Sequence, residues 1–164
     1  MMKFSKRMSS HLPVLLKLVL ETKGPILELG SGVFSTPLLH WLCAKNKREL
    51  VTCENDAEFF QMAKQYQSRN HHIVFINNWD EIKLDKHWGV ILIDNRPEFR
   101  RAVDAIKFKN NADFIILTDT EEKYEPVFEY KRAWPHFHYR YDDVQGNFRT
   151  TVVSNFRNLD KISF

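Results

Sequence analysis

Five short apolar runs, each the length of a buried strand, are separated by stretches with helical spacing. This alternation restricts the fold more than any other feature of the chain. The runs are "PILEL" from Pro25, "ELVTC" from Glu49, "HIVFI" from His72, "GVILI" from Gly89 and "DFIIL" from Asp113. Helical patterns follow the first ("FSTPLLHWLCAK"), the second ("DAEFFQMAKQYQ", with Phe59, Met62, Ala63 and Tyr66 on one face) and the fourth ("PEFRRAVDAIKF", with Phe99, Ala102, Val103 and Ile106 on one face). The stretch "NNWDEIKLDKHW" between the third and fourth carries only a weak helical signal. Strands alternating with helices require parallel pairing through right-handed crossovers, so the expected fold is α/β, a three-layer sandwich. The last third changes character: "FHYRYDD" and "FRTTVVSNF" flank "VQGN", which reads as a β-hairpin with a glycine turn. The expectation is a seven-stranded, mostly parallel sheet with a C-terminal antiparallel hairpin.

Ahead of the first run, "SSHLPVLLKLVLETK" places Leu12, Leu15, Leu16 and Val19 at helical spacing, with Ser9 or Ser10 as a cap and Pro13 in the first turn. It predicts a covering helix within residues 1–23 over a core at 25–156. A chain of 164 residues suits one domain. With 43% hydrophobic and 27% charged residues it has the balance of a globular protein. No apolar run has the length of a membrane span, and the N-terminal stretch puts charges and a proline where a secretory signal needs an apolar core. The expected compartment is the cytoplasm. Cys43 and Cys53 read as buried small hydrophobes. Trp41, Trp88 and Trp134 read as core residues. The seven histidines place no third metal ligand by spacing. A net charge of +3 from scattered lysines and arginines does not argue for a nucleic-acid partner.

Two of only five glycines, Gly30 and Gly32, stand one residue apart where the first strand ends. In a doubly wound sheet the ligand lies at that end, at the switch point beside the first strand. Glycines there allow a tight turn and a close backbone approach, and the helix start that follows, with Ser35 or Thr36 as cap, offers N–H groups to an anionic ligand portion. Glu54 ends the second strand roughly twenty residues beyond, where a carboxylate can accept both hydroxyls of a ribose. A dinucleotide fingerprint would want a third glycine where Ser35 stands.

At these places, in order, the chain resembles the class I S-adenosylmethionine-dependent methyltransferases. Their acid-x-Gly-x-Gly motif is matched by Glu28, Leu29, Gly30, Ser31 and Gly32, and Ser35 and Thr36 follow as in members whose loop continues serine-threonine. The resemblance implies that this loop holds the amino-acid portion of S-adenosylmethionine, and that Glu54, with Asn55 beside it, holds the ribose. It further implies that Asn78 and Trp79 of "INNWD" meet the adenine, and that Asp94 of "LIDNRP" lies near the reacting end.

Methyl transfer requires alignment of nucleophile and methyl and, for a hydroxyl, removal of its proton. Asp94 and Asp119, at the ends of neighbouring strands, are the expected carboxylates, and Arg96 is the residue expected to bind a substrate carboxylate or phosphate. Two such acids could hold a divalent metal, although Asp119 is followed by Thr120 and not by the asparagine of catechol-type enzymes. The stretch Asp94, Asn95, Arg96, Pro97 lacks the two prolines of base- and amide-methylating families. The expected activity is therefore O-methyl transfer to a small or terminal acceptor, taken in an open groove or with a protein partner. Two alternatives stay open: a non-catalytic scaffold with a methyltransferase fold, and a small NAD-binding oxidoreductase.

Overall fold

The computed structural model describes residues 6–162. Its seven strands are β1 (Ile26–Leu29), β2 (Leu50–Glu54), β3 (His71–Phe75), β4 (Trp88–Ile93), β5 (Ala112–Leu117), β6 (Tyr139–Gln145) and β7 (Phe148–Ser154), in one sheet ordered β3-β2-β1-β4-β5-β7-β6. The first five are mutually parallel. β7 runs antiparallel to β5 and pairs with β6 through a turn in which Gly146 takes φ 64°. The order reverses between β1 and β4, which opens a crevice at the carboxyl ends of those strands.

The helices are α1 (Leu12–Glu21), α2 (Ser35–Asn46), α3 (Ala57–Lys64), α4 (Arg100–Phe108) and the single turn α5 (Glu125–Phe128). Because β1 and β4 are buried along their whole length, alternate residues feed two separate cores. Ile26, Leu50, Val90, Leu92, Phe114 and Ile116 pack with Leu15, Leu18 and Val19 of α1 and Leu39 and Cys43 of α2. Leu27, Leu29, Ile91, Ile93, Ile115 and Leu117 pack with Ala102, Ala105 and Phe108 of α4 and with Phe128. Each such large side chain taken from water contributes about 1.5–3 kcal/mol.

Two helix faces differ from the sequence expectation. Helix α1 buries Val14, Leu15, Leu18 and Val19 and leaves Leu16 exposed, because it lies on the sheet along a stripe rotated by one residue. Helix α4 buries Arg101, Ala102, Asp104, Ala105 and Phe108 and leaves Phe99 exposed. Trp41 is likewise a surface residue, 68% exposed, whereas Trp88 is buried and Trp134 packs against the core. No helix among the described residues is long and apolar enough to cross a membrane.

Candidate active site

The turn after β1 is shaped by its neighbour across the switch point. Gly30 has φ 86°, and a Cβ there would stand 2.7 Å from the Asp94 carbonyl oxygen and 2.8 Å from Asn95 Cα. Only glycine fits. Gly32 needs no left-handed conformation; its missing Cβ makes room for Ser35 Oγ, which would otherwise lie 2.6 Å away. Ser35 and Thr36 do not cap the next helix as expected: Phe34 is its N-cap residue, without a side-chain bond, and Ser35 and Thr36 form the first turn. Thr36 instead ties the loop down. Its hydroxyl accepts from the Gly32 N–H at 2.9 Å and donates to Glu28 Oε2 at 2.9 Å.

Glu28 is fully buried, and that burial pushes its carboxyl up to about 7 against the pull of surrounding hydroxyls. Thr52 Oγ1 also donates to Oε2, at 2.7 Å, while Oε1 is buried without a hydrogen-bonding partner among the described residues. Behind Thr52 stands His71, with Nε2 at 2.9 Å from the hydroxyl and Nδ1 at 3.2 Å from His40 Nδ1. Since the one Thr52 proton is committed to Glu28, His71 must donate from Nε2 and accept at Nδ1 from His40. Burial, then the neighbouring His40 and His72, push His71 down to about 4, which keeps it in that neutral form.

Glu54 turns inward from the end of β2 and is 5% exposed. Its Oε1 accepts the backbone N–H groups of Asn55 (2.8 Å) and Asp56 (2.9 Å). Its Oε2 accepts the Ser31 N–H (2.7 Å) and the Ser31 hydroxyl (2.9 Å). The acid of β2 and the glycine turn of β1 are thus one unit. Asp56 then caps α3 by accepting from the N–H groups of Glu58 and Phe59.

The β4 and β5 ends are built differently. Asp94 and Asp119 do share the crevice, but each already faces a guanidinium. Arg101, on the inward face of α4, lies 2.8 Å from Asp94 and 3.3 Å from Asp119, donates to Thr118 Oγ1 at 2.8 Å and to the Asn95 carbonyl at 2.8 Å, and sits over the Phe128 ring. Burial opposes its charge, yet Asp94, Tyr130 and Asp119 together hold it protonated. Arg7, from the turn preceding α1, reaches Asp119 at 2.6 Å with its guanidinium against the Tyr124 ring. Asp119 adopts φ 55°, a left-handed conformation that aspartate tolerates better than most residues. His11, 3% exposed, presents an Nε2 that meets no partner among the described residues. Burial pushes its imidazole down despite Asp94 and Asp119, so it is neutral at pH 7.

These groups line one cavity of about 670 Å³, within the range of small-molecule sites. From one side Gly30, Ser31, Gly32, Ser35, Glu54 and Asn55 face it; from the other Arg7, His11, Asp94, Arg101, Asp119 and Phe128. Glu28 and Thr36 lie beneath the loop and support it from behind. Three expected residues are placed otherwise. Trp79 is buried in the core and donates its indole N–H to the Arg96 carbonyl at 2.7 Å, so its ring is not available to cover an adenine. Asn78 does not line the cavity; its Oδ1 accepts from the Asp80 N–H and caps the turn at Trp79–Glu81. Arg96 borders the cavity, but its side chain is 80% exposed beside Glu98. The buried arginine is Arg101, and Arg7 and His11 went unrecognised because the N-terminal segment reaches the site only through tertiary folding.

Comparison with solved structures decides the fold. A methyltransferase from Pyrococcus furiosus superposes with a TM-score of 0.58 at 17% identity, covering 88% of this chain and 83% of its own. The N-terminal domain of human METTL16, solved with S-adenosylhomocysteine (SAH), gives 0.66 at 12% identity over 96% of this chain and 73% of its own. The chain has the class I methyltransferase fold. A spermidine synthase bound to a transition-state analogue shares this methyltransferase fold at a TM-score of 0.68 and 13% identity, over 96% of this chain and 63% of its own. No family model matches the chain. Among curated proteins, 128 residues are 26% identical to probable polyketide synthase 33 of Dictyostelium discoideum, matching 74% of this chain. The chain spans only 4% of that protein's length.

Proposed function

We propose that this chain is an S-adenosylmethionine-dependent methyltransferase acting on an oxygen of a small or terminal acceptor. The observation that carries the reading is the joint construction of Glu54 and the Gly30–Gly32 turn at the switch point, facing a cavity of the right size. The residues present fit the cofactor. Glu54 places a desolvated carboxylate, held by internal donors, where ribose hydroxyls would lie, the turn carries no Cβ at Gly30 or Gly32, and Glu28 Oε1 is a buried acceptor without a partner among the described residues just beneath. Bound S-adenosylmethionine would supply an electrophilic methyl group on a cationic sulfur.

At the other end of the cavity, Arg101 and Arg7 compensate Asp94 and Asp119, which leaves these acids to shape and orient the acceptor pocket. Among the described residues, the buried polar atoms there without a partner are Asn95 Oδ1 and Nε2 of the neutral His11 imidazole, and of the two the imidazole is suited to receive a hydroxyl proton. Calorimetry with S-adenosylmethionine, SAH and NAD side by side tests the reading. Both adenosyl ligands should bind, and Glu54→Ala should weaken them by about 1.5–3 kcal/mol, the range of a charge-assisted hydrogen bond. A response to NAD alone would overturn it.

A further inference from the structure

The carboxylate assigned to the ribose is already full. A carboxylate offers about four lone-pair positions, and in Glu54 all four are taken: by the N–H groups of Asn55 and Asp56 on Oε1, and by the N–H and hydroxyl of Ser31 on Oε2. Three of these donors are backbone amides fixed by the ends of β1 and β2. The fourth, Ser31 Oγ, swings on a single side-chain torsion. It also has somewhere else to go, because the Phe59 carbonyl oxygen of α3 stands 3.2 Å away. One hydroxyl proton thus has two acceptors, one charged and one neutral.

We infer that Ser31 is an internal competitor for the ribose: its hydroxyl holds the Glu54 position that a ligand hydroxyl must take, and it transfers to the Phe59 carbonyl when a nucleoside enters. This rests on the cofactor reading above and adds to it a residue that sets affinity. The exchange trades a charge-assisted hydrogen bond for a neutral one, a difference of about fivefold in binding. Ser31 therefore weakens the ligand's hold while keeping the buried carboxylate satisfied without ligand. The Ser31 N–H is a main-chain group, unaffected by side-chain replacement, so the carboxylate stays anchored in every variant.

The test measures SAH binding by calorimetry to the wild type, Ser31→Ala and Ser31→Cys. The cysteine variant keeps a side chain of similar size with a weak donor, and decides the matter if the alanine variant does not fold by circular dichroism. Both should bind SAH more tightly, by about fivefold for alanine. The analogue of SAH lacking the 2′ and 3′ hydroxyls should bind wild type and variants alike, and in a Glu54→Gln background the gain from Ser31→Ala should disappear. Equal or weaker SAH binding by folded Ser31 variants overturns this inference alone. Failure of SAH to bind any of the proteins overturns it together with the cofactor assignment.

Discussion

The two halves of the cavity solve the same problem, holding acids at strand ends, by opposite means. On the β1–β2 side, Glu28 and Glu54 are held by neutral donors: hydroxyls of Thr36, Thr52 and Ser31 and backbone N–H groups. On the β4–β5 side, Asp94 and Asp119 are held by guanidinium groups. The first arrangement supplies hydrogen bonds without a counter-ion, so a hydroxyl-bearing or cationic ligand still gains by arriving. The second cancels charge and leaves the β4–β5 end of the cavity nearly neutral. Neutral donors hold the acids of the β1–β2 half, and ion pairs hold those of the β4–β5 half.

If that contrast is right, the largest effect belongs to the centre of the charged half. Arg101→Met leaves Asp94 and Asp119 without their shared buried counter-ion. Breaking one side of such a pair costs about 3–5 kcal/mol, which urea denaturation should register. Adding Asp94→Asn to Arg101→Met should recover part of the loss, because Asp94 is the acid left without a counter-ion, whereas Asp119 keeps Arg7. A fall below 1 kcal/mol for Arg101→Met would show that the ion pair does not hold this side together.

The neutral half should respond to pH instead. The folded state raises the Glu28 carboxyl from 4.5 to about 7, so between those values the folded chain binds more protons than the unfolded one. The stability contributed by the neutral form is complete below about 4.5 and is lost as pH rises through 7, roughly 3 kcal/mol in all. Glu28→Gln keeps an oxygen to accept from Thr36 and Thr52 but cannot ionise. Its stability relative to wild type should therefore climb by about that amount between pH 4.5 and 8. Parallel stability curves would mean that Glu28 is not the group that titrates.

What could be read from the sequence follows the same divide. The succession of parallel strands and helices, the hairpin and the turn after β1 were legible, because each rests on local patterns: buried runs, a glycine turn, an acid and two glycines at fixed spacing. The charged half was not. Helix α4 was expected to bury Phe99, Ala102, Val103 and Ile106; Ala102 is buried as expected, but it is joined by Arg101, Asp104, Ala105 and Phe108, at i, i+3, i+4 and i+7, while Phe99 is exposed. Two charges on that stripe were the available signal, outweighed by the ordinary rule that charges face water. Trp79 sits elsewhere for a related reason. Position after β3 suggested an adenine contact, but the bulk of Trp79 is worth more in the core than at the rim of the cavity. Arg7 and His11 lie more than eighty residues from the acids they approach, and no local pattern reports such a contact.

The smallest effect separates the two arginines that share Asp119. Arg7 forms the shorter contact, 2.6 Å against 3.3 Å for Arg101, yet its side chain is 39% exposed and that of Arg101 only 6%. Water screens the first pair and solvates Arg7 when the pair opens, whereas Arg101 has no such alternative. Arg7→Gln should therefore change stability by about 1 kcal/mol or less, within the same urea series in which Arg101→Met is severe. Distance alone predicts the reverse ranking, so a loss on Arg7→Gln matching that of Arg101→Met would show that contact geometry, and not burial, decides what holds the β4–β5 half in place.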